Sequence, residues 1–72
     1  MKKIFKLEEL ECAACAAKME DAIGKMDKVN EANISFITQK LTIDADEADF
    51  DEVLRDAQKV IKKIERRCRI VL

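Results

Sequence analysis

Histidine, proline, tryptophan and tyrosine are all missing from this chain, and glycine occurs once, at Gly24. Each gap closes off chemistry. Without histidine there is no imidazole for a general base, a triad or a His-ligated zinc site, and without a glycine-rich loop there is no cradle for a phosphate, so no enzyme constellation is present. Long apolar runs are lacking too: nothing is long enough to span a bilayer, and the opening Lys2-Lys3-Ile4-Phe5 breaks at Lys6 before a signal-peptide core can form. Nor is there an excess of charge. The 14 basic and 15 acidic residues leave a net −1, which gives no long-range pull toward nucleic acid or anionic lipid.

What is there suits one small domain spanning 1–72. A chain of 72 residues has room for a single core, near the lower limit at which hydrophobic burial alone suffices. Its 49% hydrophobic and 40% charged content fits elements that each bury one face and solvate the other. Alternation from Phe5, with Phe5 and Leu7 inward and Lys6 and Glu8 outward, predicts a first strand. From Cys15 the apolar residues Cys15, Met19, Ala22, Ile23 and Met26 lie on one side of a helix that stops around Asp27. Ala32, Ile34 and Phe36 share one parity and Leu41 and Ile43 another, with Thr38, Gln39 and Lys40 between, which fits a hairpin whose arms carry no proline. A second helix follows: Asp49 as its cap, Glu52 completing a box, and Phe50, Val53, Leu54, Ala57, Val60, Ile61 and Ile64 as its stripe. Cys68, Ile70 and Leu72 share the parity of a short last strand.

Strand, helix, strand, strand, helix, strand is the split β-α-β order, so the fold class is α+β: a ferredoxin-like sandwich, a four-stranded antiparallel sheet with two helices on one face. Right-handed crossovers put the first and third strands in the middle, the fourth beside the first and the second beside the third. The end of the first strand and the start of the fourth then meet at one edge of the sheet, bringing the Cys12 loop near Cys68.

Cys12-Ala13-Ala14-Cys15 stands where a strand gives way to a helix, and there two thiols can converge on one exposed point. Positive partial charge at the helix start favours the thiolate of Cys15 in the first turn. The two alanines add no donor, so the ligands are Cys12 and Cys15. A structural zinc site or an iron–sulfur cluster needs four protein ligands, and this chain has no histidine and one further cysteine. An incomplete pair gives its ion up to a competing thiolate partner, as a carrier must. The alternative is a thiol–disulfide protein, against which stands the absence of proline and tryptophan from the whole chain. Three cysteines, an odd count with no secretory signal, suit reduced thiols in the cytoplasm.

The run Phe5-Lys6-Leu7-Glu8-Glu9-Leu10-Glu11-Cys12-Ala13-Ala14-Cys15-Ala16-Ala17-Lys18-Met19-Glu20, with Val29-Asn30-Glu31-Ala32 and Ile34-Ser35-Phe36 after it, resembles the heavy-metal-associated domain over almost the whole chain. That family includes copper chaperones and the cytoplasmic amino-terminal domains of heavy-metal-transporting P-type ATPases, and its metal-binding cysteines match Cys12 and Cys15. Glu9 and Leu10 replace the commonest Gly-Met of the family loop, with Leu10 still able to plug it from below. The residue before the first cysteine is typically Thr or Ser in the copper branch and often acidic in zinc, cadmium and lead transporters; here it is Glu11. Charge points the same way. Two thiolates and a carboxylate overload a monovalent ion, while a divalent one accepts the third anion. The resemblance therefore implies the metal-binding domain of a transport ATPase, with Zn2+, Cd2+ or Pb2+ held by Cys12, Cys15 and Glu11; the alternative is a Cu+-binding domain or a free-standing copper metallochaperone. It also implies, as partners, other domains of a transport ATPase or a metal-donor protein, contact with a membrane only through a parent transporter, and a monomer when isolated.

Other residues have plainer readings. Cys68 reads as a small core side chain, with a role as third sulfur ligand secondary to that. Met19 and Met26 lie on the core stripe, and Phe5, Phe36 and Phe50 fall on inward parities. Asp44, Asp46, Glu47 and Asp49 lack the spacing and the turn glycine of a calcium loop. Lys2, Lys3, Lys18, Lys25 and Lys28 are a candidate basic rim, or simply a soluble surface.

Overall fold

The computed structural model describes residues 1–71. Its elements are β1 (Lys2–Glu8), α1 (Ala13–Gly24), β2 (Val29–Ser35), β3 (Lys40–Ala45), a short 3-10 turn (Glu47–Asp49), α2 (Phe50–Ile64) and β4 (Arg69–Val71). The strands form one antiparallel sheet in the order β2-β3-β1-β4, the order that the crossover rule dictates. Register puts Phe5 opposite Leu41, Ile34 opposite Leu41, and Leu7 opposite Ile70. These inward residues join Met19 and Ile23 of α1 and Phe50, Val53, Ala57 and Ile61 of α2 in a single core. Residues of the other parity, such as Ile4, face away from the helices and stay exposed. Lys3, at the inward parity near one end of β1, escapes burial of its charge by setting its ammonium 4.7 Å from the centre of the Phe50 ring.

Four local expectations change. α1 begins earlier, with Cys12 as its N-cap, and Ala16 is one of its buried residues. It also ends earlier: Gly24 is its last residue, and Met26 lies in the following turn, half-buried against the core but off the helix. β2 ends at Ser35, so Phe36 opens the hairpin turn and is 38% exposed instead of facing inward. Asp49 stands at the N-cap position of α2 as expected, but its side chain does not cap the helix. The 3-10 turn already gives it helical dihedrals (φ −96°, ψ −7°) and its side chain makes no capping bond. Instead Lys28 gathers both acids, 3.9 Å from Asp49 and 2.7 Å from Glu52. Leu72, expected to continue the last strand, lies outside the described residues.

Gly24 occupies an ordinary helical position, and a Cβ added there would have no neighbour within 4 Å. Gly24→Ala is therefore expected to stabilise the domain by about 0.5–1 kcal/mol, because alanine loses less backbone freedom on entering a helix. A thermal melt should show the midpoint rising by a few degrees. An unchanged or lower midpoint would mean that the end of α1 is not helical in solution.

Candidate metal centre

β1 pairs with its neighbours as far as Glu8, and there the ladder stops. Glu9 turns the chain with φ 59°, a left-handed value that a glycine would take at lower cost. Leu10, 3% exposed, drops into the core as the plug beneath the loop. The chain then rises through the exposed Glu11 to Cys12, whose extended backbone (φ −131°, ψ 116°) ends the loop and starts the helix.

Cys12 Sγ accepts the N–H of Cys15 at 3.2 Å, and the Cys12 carbonyl accepts the N–H of Ala16 at 3.0 Å. The first sulfur thus occupies the place that a Ser or Asp oxygen takes at other helix starts. This reverses the expected acidity of the pair. The Cys15 thiol and then its backbone N–H donate to Cys12, holding Cys12 below the ordinary thiol value. The same bond to Cys12, reinforced by burial and by the charges of Cys12 and Glu65, pushes Cys15 up. It is the cap position, toward which the free N–H groups point, that gathers the positive end of the helix; a residue inside the first turn supplies one of those groups. Both cysteines are free and partly exposed.

Cys68 is different. It is fully buried just before β4, and burial above all, with Glu65 and Glu9 adding to it, pushes its thiol up to about 11. A protonated thiol inside the core packs as a small apolar side chain, which is the plainer of the two readings of Cys68. The expected proximity to the loop holds nonetheless, since Glu8 pairs with Arg69.

Glu65 is the residue that sequence reasoning passed over. It is the C-cap of α2, its own N–H donating to the Ile61 carbonyl at 2.8 Å. Its Oε1 accepts the Glu11 N–H at 3.4 Å across 54 positions of sequence, while its Oε2 is buried with no partner. Its negative charge disfavours the thiolate of all three cysteines, pushing each thiol's pKa upward. A half-buried carboxylate oxygen without a donor is costly, and a cation would relieve it. No motif marks Glu65; only the antiparallel return of the chain brings it to the loop. Among the described residues no three Cys, Asp or Glu side chains already converge on one point, so any third donor has to swing in to join the two sulfurs. Of the lysines read as a basic rim, Lys2, Lys25 and Lys28 turn to Glu31, Asp21 and Glu52 and Lys3 to Phe50, while the charge of Lys18 acts on Cys15.

Residues 4–68, which include every part of this arrangement, match the sequence model of the heavy-metal-associated domain. The chain belongs to that family. A zinc/cadmium/lead-transporting P-type ATPase of Escherichia coli is 43% identical over 42 residues, which is 58% of this chain and 6% of the transporter. A cadmium, zinc and cobalt-transporting ATPase of Helicobacter pylori is 37% identical over 49 residues, 68% of this chain and 7% of that protein. This heavy-metal-associated domain thus spans only a small fraction of the length of the relatives it matches. Among solved structures, the N-terminal domain of ZntA in its apo form superimposes with a TM-score of 0.72 at 28% identity, covering 99% of this chain and 92% of that one. The CsoZ metallochaperone superimposes with a TM-score of 0.76 at 18% identity, covering 100% and 97%, which shows the shared fold alone.

Proposed function

We propose that this domain binds a divalent soft metal ion, Zn2+, Cd2+ or Pb2+, through Cys12 and Cys15 and hands it on, as the cytoplasmic metal-binding module of a P-type transport ATPase. One observation carries the choice of ion class. Two carboxylates flank the sulfur pair, Glu11 beside Cys12 in the chain and Glu65 across from it, the latter with an unpartnered oxygen. Two thiolates with an added carboxylate suit a dication and overload a monocation. The curated relatives, named as zinc, cadmium, lead and cobalt transporters, support the same reading. An open coordination position lets a thiolate of a metal donor, or of another domain of the transporter, enter before the first sulfurs leave. The copper alternative draws only on the fold, through solved structures such as that of a yeast copper transporter domain.

Competition against a chromophoric chelator tests it. Glu11→Thr and Glu65→Gln are each expected to weaken Zn2+ binding by about tenfold, while Cu+ binding stays within a factor of about two. An unchanged Zn2+ affinity in either variant removes that carboxylate from the site. A wild-type preference for Cu+ over Zn2+, measured with both ions buffered, would move the domain to the copper branch.

A further inference from the structure

Gln39 ends the β2–β3 turn with φ 58°, again left-handed. Its main-chain carbonyl accepts the Leu7 N–H at 2.7 Å. Its side-chain carbonyl accepts the Leu10 N–H at 3.1 Å, and its side-chain amide donates to the Leu10 carbonyl at 2.7 Å and to the Phe36 carbonyl at 2.9 Å. Both side-chain donors and the side-chain acceptor are therefore engaged. The amide meets the N–H and C=O of Leu10 as a neighbouring strand would, at a point where the sheet ladder has already ended. Beyond this contact, the way up to the first cysteine is steadied by the long, exposed bond from the Glu11 N–H to Glu65.

We propose that Gln39 is a positioning residue for metal capture: its side-chain amide clamps Leu10 and so fixes the backbone that presents the Cys12 sulfur to its Cys15 partner. The proposal rests on the reading of Cys12 and Cys15 as ligands. A loop already held in its binding geometry loses little further freedom when the ion arrives, so the clamp acts on affinity and on the rate of release. A second glutamine makes the control. Gln58 Oε1 accepts the Ile70 N–H at 2.8 Å and its Nε2 donates to the Cys68 carbonyl at 3.4 Å, the same kind of clamp on a strand edge that carries no proposed ligand.

Gln39→Gly deletes the amide while suiting the left-handed turn, so the backbone of the hairpin should survive. Gln39→Asn also tolerates that conformation, but its amide is one methylene short of Leu10. With Zn2+ and Cd2+ as probes, both variants are expected to bind about tenfold more weakly, the equivalent of one or two net hydrogen bonds, and to release the ion faster to a chelator. The Cd–thiolate absorbance per bound ion should stay unchanged, since both sulfurs still ligate. Exchange of the Leu10 amide hydrogen should quicken, and the metal-free melting midpoint should fall no further than in Gln58→Ala. Wild-type affinity and release in Gln39→Gly would overturn the clamp, as would an equal loss of affinity in Gln58→Ala. Failure of the wild-type chain to take up either ion would instead overturn the metal reading, and this proposal with it.

Discussion

Cys12→Ser and Cys15→Ser should each weaken Zn2+ and Cd2+ binding by about a hundredfold or more, because losing a ligand costs more than losing a group that merely supports one. Serine does not give up its proton to a soft ion as a thiol does. The folded state should survive. In Cys12→Ser the new hydroxyl can accept the Cys15 N–H in place of the sulfur, and serine is among the preferred residues at that position. Circular dichroism of the metal-free variant should match the wild type, while uptake of Cd2+, read from thiolate absorbance, should vanish at micromolar ion. The two positions are not equivalent in reactivity. Cys15→Ala removes the thiol hydrogen bond that contributes most to lowering Cys12, so Cys12 should titrate nearer the ordinary thiol value and react more slowly with an alkylating reagent at neutral pH. An alkylation rate that does not fall would show that the helix end alone sets the acidity of Cys12, and retained Cd2+ uptake in either serine variant would remove that sulfur from the site.

Ile61→Ala carries the largest expected cost to folding. Ile61 is fully buried in α2, within the core that α1, α2 and the sheet share. Truncation to alanine in such a place costs about 2–5 kcal/mol through lost burial and the cavity left behind. A domain of this length holds roughly 4–11 kcal/mol in total. Urea unfolding should show the midpoint falling by a large part of its wild-type value, with part of the population already unfolded in buffer. Ile4→Ala is the matched contrast: Ile4 is 66% exposed on the open face of the sheet, and its loss should change stability by no more than about 0.5 kcal/mol. Comparable losses in the two variants would mean that the open face is covered in solution.

The sequence pattern revealed most of the fold because its main features are periodic. The stripe of α2 and the alternation of β1 and β3 each require a particular face to be buried, and topology rules then leave one sheet order. Boundaries were less legible. Met26 continues the helical spacing of Met19 and Ile23, yet the chain turns after Gly24 and buries Met26 from the turn instead. Asp49 and Glu52 read as a capping box, but the pairing that forms depends on Lys28, more than 20 positions away in the sequence. Phe36 continues the parity of Ile34, and periodicity cannot say that the strand ends one residue earlier. The candidate site divides in the same way. Cys12, Cys15 and Glu11 are contiguous and carry their own motif, so they were visible. Glu65 and Gln39 reach the loop only through folding, and each is an unremarkable polar residue at the end of an element.

The sulfur that would grip the cargo also closes the first turn of α1, by accepting the Cys15 N–H. The helix therefore takes its cap from the chain itself and not from a bound ion. Where a zinc finger needs its ion to fold, a sulfur that closes the first turn by itself would let filling and discharge proceed without refolding.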